Sequence, residues 1–121
     1  MKKILLALTL SIAAQLVSAQ PAKTFSGVPI TLITDSQSYG KCMARFSNLD
    51  LGSYFTQCAV KPDYISFDCA GGYIDKSAAA SNWSQIQLAF VLGTAVAVTV
   101  NGLQKYNANY CVGQSVQVTA Q

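Results

Sequence analysis

The stretch DKSAAASNWSQIQLAFVLGTAVAVTV, residues 75–100, decides the fold class. It reads as one helix and one strand joined by a single glycine. Asp75 or Ser77 stands at the N-cap, where a short side-chain oxygen takes N–H groups that the first turn leaves unpaired. Ala79, Trp83, Ile86 and Phe90 then recur at spacings of four, three and four, one apolar stripe on a helix running to about Leu92. Gly93 occupies the place where a left-handed residue closes a helix. Beyond it the period drops to two. Val96, Val98 and Val100 face one way and Ala95, Ala97 and Thr99 the other, as in a half-buried strand. Away from the stripe, Leu88, Val91 and Leu92 make the second half of the helix apolar nearly all round. Either this is the central helix of a small core, or those three residues pack against a neighbouring subunit. The expectation carried forward is self-association through this helix and an edge strand.

Outward from this unit the chain is rich in strands. Gln20 to Ser26 reads as a flexible start, and Val28 to Thr34 as a strand in which Pro29 marks an edge or an entry. After a turn at residues 35–38, strands are expected from Tyr39 to Phe46, Tyr54 to Val60 and Tyr64 to Cys69. Following the helix and Thr94 to Val100, Asn101-Gly102 begins a turn, and a last strand runs from about Tyr110 to Thr119. Several strands, one helix, then two strands is the order of a mainly β domain with one α-helix. The expected form is an OB-fold-like Greek-key barrel of five or six strands, stabilised by disulfides. A helix on an open antiparallel sheet is the structural alternative.

The N-terminus has a basic start (Lys2, Lys3), an apolar run from Ile4 to Val17, and the small-residue site Val17-Ser18-Ala19. Residues 1–19 therefore read as a signal peptide cleaved after Ala19, leaving residues 20–121 as one secreted or periplasmic domain. The apolar run is shorter than the ~20 residues a bilayer needs, so no membrane insertion is expected. In an oxidising compartment Cys42, Cys58, Cys69 and Cys111 form two disulfides. Three pairings are open; spacing and the strand reading favour Cys42–Cys58 and Cys69–Cys111.

The composition excludes more than it reveals. The 121 residues contain no histidine and no glutamate. A Ser-His-Asp or Cys-His site cannot be built, and imidazole-dependent zinc sites are ruled out, so no cofactor or metal is expected. Asp35, Asp50, Asp63, Asp68 and Asp75 sit in turn-like contexts that favour backbone capping over acid–base work. Six cations against five aspartates in the mature chain form no basic cluster that would suggest nucleic acid. The aromatic residues, Tyr39, Tyr54, Phe55, Tyr64, Tyr73, Tyr106 and Tyr110, with Asn and Gln partners, suit stacking on sugars, although tyrosines at strand ends also serve as half-buried structure. Asn107, Asn109 and Tyr110 make a polar aromatic loop or a plain turn.

Three short segments resemble the B subunits of AB5 toxins, closest to the subtilase cytotoxin and pertussis-like (typhoid toxin) group. They are Phe25-Ser26-Gly27-Val28 with Ile30-Thr31, Tyr39 to Cys42 with Cys58-Ala59-Val60, and Trp83 to Val98. The resemblance implies a homopentameric ring that binds cell-surface sialoglycans and carries a secreted A subunit. It carries over Ser26 as the holder of the sialic acid carboxylate, with a nearby tyrosine, Tyr39 or Tyr54, covering the sugar. Val100 stands where that family would place an aromatic sugar contact. Three functions follow in order: a non-catalytic glycan-binding B subunit, a small secreted or periplasmic protein-binding domain (an inhibitor or accessory factor) without a sugar site, and an aspartate hydrolase.

Overall fold

The computed structural model describes residues 22–34, 37–107 and 109–119. The signal-peptide reading and the turn residue Asp35 lie outside them. The elements are β1 (Ala22–Thr34), β2 (Cys42–Ser47), β3 (Tyr64–Ser66), α1 (Lys76–Leu92), β4 (Val96–Tyr106) and β5 (Tyr110–Gln117), with single 3-10 turns at Gln37–Tyr39, Leu51–Ser53 and Thr56–Cys58. The strands close a barrel in the order β1-β2-β3-β5-β4, antiparallel throughout except for β3 beside β5. Among the described residues the fold is thus mainly β with one helix between the third and fourth strands, five strands rather than six.

β1 is twice as long as its expected strand because its halves serve different neighbours. Ala22 to Gly27, which takes in the described part of the start expected to be flexible (Gln20 to Ser26), pairs with β4, and Val28 to Thr34 pairs with β2. Pro29 sits just past the changeover, inside a long strand rather than at its entry, where β1 is bonded along one side only. The register slips between Pro29 and Thr31, a bulge where the missing N–H costs no ladder bond. β2 starts at Cys42, not Tyr39, because Gly40 and Lys41 both take positive φ (78° and 75°) and turn the chain first. The strand expected over Tyr54 to Val60 is absent. Leu51, Phe55 and Cys58 are buried at spacings of four and three, so this segment coils and drops one apolar face into the core. β4 runs on through the expected turn. Asn101 Oδ1 takes the Leu103 N–H (2.8 Å), and Gly102 lies so close to Phe55 that a Cβ there would stand 2.3 Å from its ring. β5 ends at Gln117.

Asp75 is the N-cap of α1, accepting from the Ala78 N–H at 3.3 Å, and Gly93 ends the helix at φ 67°. Ala79, Trp83 and Ile86 are buried as expected, with Trp83 5.8 Å from Phe67. Phe90 is a correction: it stays 40% exposed and Ala89 is buried instead. The chain turns back at the helix end, where the Ala89 carbonyl takes the N–H groups of Gly93 and Thr94, and Ala89 faces the core cluster with Trp83 and Ile86. The disulfides are also corrected. They join Cys42 to Cys69 and Cys58 to Cys111, not Cys42 to Cys58 and Cys69 to Cys111. With no strand at residues 54–60, Cys58 is not beside β2 but turned inward against β5, while the chain after β3 brings Cys69 back to Cys42.

Candidate functional site

Five of the six tyrosines gather around the β1–β2 and β4–β5 connections. Tyr39 closes the 3-10 turn, and its carbonyl accepts the Ser66 hydroxyl at 2.7 Å. Gly40 follows with its backbone against the Tyr106 ring; a Cβ there would lie 2.6 Å from Tyr106 Cε2, so only glycine brings Tyr39 this close. Tyr106 and Tyr110 face each other across the β4–β5 hairpin. Tyr110 is the hub of a half-buried trio, edge-on to Tyr39 at 5.6 Å and to Tyr64 at 6.2 Å. Lys61 holds its ammonium 5.8 Å over the Tyr64 ring. Lys61, with Lys41 and Lys105 next in sequence to Gly40 and Tyr106, has no acidic partner among the described residues, and neither have those two.

Behind the patch lies a buried carboxylate. Asp68 is fully buried and accepts the N–H groups of Gly72 (2.9 Å), Tyr73 (2.7 Å) and Ile74 (2.7 Å), plus the Tyr106 hydroxyl. Burial alone pushes its carboxyl pKa up, but these hydrogen bonds outweigh it and hold the group below its usual value. The Tyr106 phenol is pushed up to about 12, by burial first and then by its bond to Asp68. Tyr73 is thereby fixed edge-on to Tyr106 at 5.3 Å, with its hydroxyl donating to the Lys105 carbonyl at 2.8 Å. This cluster orders a loop; it leaves no oxygen free for a substrate.

The three sugar-contact residues expected from the sequence do not meet. Ser26 is exposed on β1 opposite Ala97, and successive strand residues face opposite ways. Its neighbour Phe25 turns inward to Tyr54 (6.4 Å) and Phe55 (6.1 Å), so Ser26 and Tyr54 lie on opposite faces of β1. Tyr54 is 45% exposed, with the Lys23 ammonium 4.9 Å over its ring. Tyr39 belongs to the separate tyrosine patch. Val100 is fully buried, so no side chain at that position reaches a ligand. Tyr64 was singled out only as a member of an aromatic composition, and Tyr110 as that and as part of a polar aromatic loop with Asn107 and Asn109. The available signal was the symmetry of Tyr106-Asn-Ala-Asn-Tyr110, two tyrosines facing each other across a tight loop.

Leu88, Val91 and Leu92 are 52%, 77% and 62% exposed and join Phe90 as an apolar surface on α1, which carries no charge after Lys76. Each half of β1 is bonded along one side only, so strand edges exist beside it as well. Of the described aspartates, Asp75 caps, Asp68 is saturated and Asp63 pairs with Arg45. Among the described residues no group of three or more His, Cys, Asp or Glu side chains is placed to hold a metal, and no helix is long and apolar enough to cross a membrane. No family model matches the chain, and comparison with curated proteins and with solved structures returns no match.

Proposed function

We propose that the chain is a secreted, non-catalytic glycan-binding module built on an OB-type barrel, working as a homo-oligomer like the B subunits that its sequence resembles, and taking a sialylated glycan for a partner A subunit. The observation that carries this reading is the trio Tyr39, Tyr64 and Tyr110. It is assembled from the β1–β2 connection, the first residue of β3 and the end of the β4–β5 connection. OB-type barrels take oligosaccharides on this region. Rings held edge-to-face offer a fixed apolar platform to a sugar, and the Lys61 ammonium suits its carboxylate. Tyr39 keeps its assigned role; Ser26 and Tyr54 do not share its site.

A glycan array probed with the confirmed oligomer tests this. Sialylated glycans are expected to bind, and Tyr110→Ala to lose about tenfold in affinity while Ser26→Ala stays unchanged. Binding lost on Ser26→Ala and kept on Tyr110→Ala would move the site to β1. The exposed apolar end of α1 favours one other reading, a protein-binding domain without a sugar site. An array without signal, together with a stable complex formed through α1, would establish it. Self-association is checked by ultracentrifugation, where Val91→Lys is expected to turn the oligomer into a folded monomer.

A further inference from the structure

Away from the tyrosine patch, an open groove of about 590 Å³ runs between the β1 bulge and the segments that flank β3. Its lining is partly apolar. Ile30, unpaired where the β1 register slips, is 42% exposed and lines the groove together with Leu49 and Pro62. Its walls are fixed by backbone bonds, Phe46 N–H to Asp63 O and Leu51 N–H to Pro62 O, both 2.9 Å. The groove therefore exists before any ligand arrives.

The lining carries unused hydrogen-bonding groups. Arg45 Nε donates to Asp63 Oδ2 at 2.9 Å, leaving the terminal guanidinium N–H groups and Asp63 Oδ1 beside that bond. Asn48, a residue at φ 56°, and Asp50, whose side chain caps no backbone N–H, line the groove as well. The lining thus offers donors and acceptors beside the apolar Ile30, Leu49 and Pro62. A sugar hydroxyl both donates and accepts, and a pyranose presents adjacent hydroxyls above a C–H face. One cation against two carboxylates makes the lining net negative, which turns acidic sugars away.

We propose that this groove is a second saccharide site, specific for an uncharged pyranose with adjacent hydroxyls. The proposal does not rest on the tyrosine patch. The test follows the methyl resonances of Ile30 and Leu49 while methyl hexopyranosides and lactose are titrated in. Saturable millimolar shifts are expected. Asp63→Asn should weaken binding about tenfold and Asn48→Gly, which keeps the positive φ, about threefold, whereas Tyr110→Ala leaves it unchanged. No saturable shift with any neutral pyranoside overturns the proposal. So do equal shifts from an open-chain polyol, or binding of sialyllactose where lactose fails.

Discussion

Two aspartates bracket β3 and have opposite surroundings. Asp68, just after the strand, is fully buried and spends its oxygens on three backbone N–H groups and the Tyr106 hydroxyl. Asp63, just before it, is partly exposed, bonds one guanidinium nitrogen, and faces an open groove. A carboxylate taken out of water must have its lone pairs satisfied by the protein, because each unmet bond is costly there. One left at the surface keeps the capacity to bind something else. The first is architecture and the second is available for recognition, a difference visible only once partners are counted.

The largest effects should come from the disulfides that tether these two regions. Cys58–Cys111 anchors the connection that forms one groove wall and closes a separation of 53 residues; Cys42–Cys69 sits beside Asp68 and closes 27. On the chain-entropy model the first is worth about 4 kcal/mol and the second about 3.5 kcal/mol. Replacing each pair by alanine should therefore cost slightly more for Cys58–Cys111 in denaturant unfolding. The reverse ranking would mean that the Asp68 loop, not chain closure, governs the difference.

Next comes Asp68→Ala, which strands three N–H groups and a phenol; a loss of about 3 kcal/mol is expected. The pH dependence follows from the lowered pKa of this carboxyl. Its contribution is complete above the ordinary aspartate value, about 3.9, and is lost as pH falls through the lower folded-state value. Destabilisation by acid from this group should set in below pH ~4, and the stability advantage over Asp68→Asn, whose amide does not titrate, should shrink as the pH falls. At the other extreme the raised phenol of Tyr106 contributes below its unfolded value of about 10 and is lost as pH climbs toward about 12. Ultraviolet titration should show one late tyrosine, absent in Tyr106→Phe.

What could be foreseen depended on whether periodicity or contact decides a segment. The strand expected over Thr94–Val100, the cap at Asp75 or Ser77 and the stop at Gly93 rest on local pattern; the structure has the stop at Gly93, takes Asp75 of the two caps, and starts the strand at Val96. Phe55 and Cys58 were misread because a tyrosine-, phenylalanine- and valine-containing stretch, Tyr54 to Val60, favours a strand by residue type, whereas with Leu51 before it the buried positions repeat at helical spacing. That error carried the disulfide pairing with it, since Cys58 was set beside Cys42 by a strand that is not there. Asn101-Gly102 has turn composition, yet its glycine serves close approach by Phe55, a contact between residues 47 apart that local pattern does not encode. The tyrosine patch is of the same kind: Tyr39, Tyr64 and Tyr110 meet only after barrel closure.

The smallest expected effect on stability is also the one that separates the two aspartates most sharply. Asp63 and Arg45 form a single-contact pair with both side chains partly in water, where solvent screens their attraction and holding two side chains in one geometry costs entropy. Asp63→Asn should leave the unfolding midpoint nearly where it is, and Arg45→Gln likewise. Asp63→Asn is isosteric and Arg45→Gln shortens only a side chain that is partly in water, so neither has a route to the core. If the pair exists for a ligand, its loss should appear in the binding of neutral pyranosides and nowhere in folding. Asp68→Asn should do the converse, lowering the midpoint while the groove, whose walls are held by the Phe46 and Leu51 N–H groups, keeps its affinity. A marked drop in midpoint on Asp63→Asn would make both carboxylates structural, and the contrast between them would collapse.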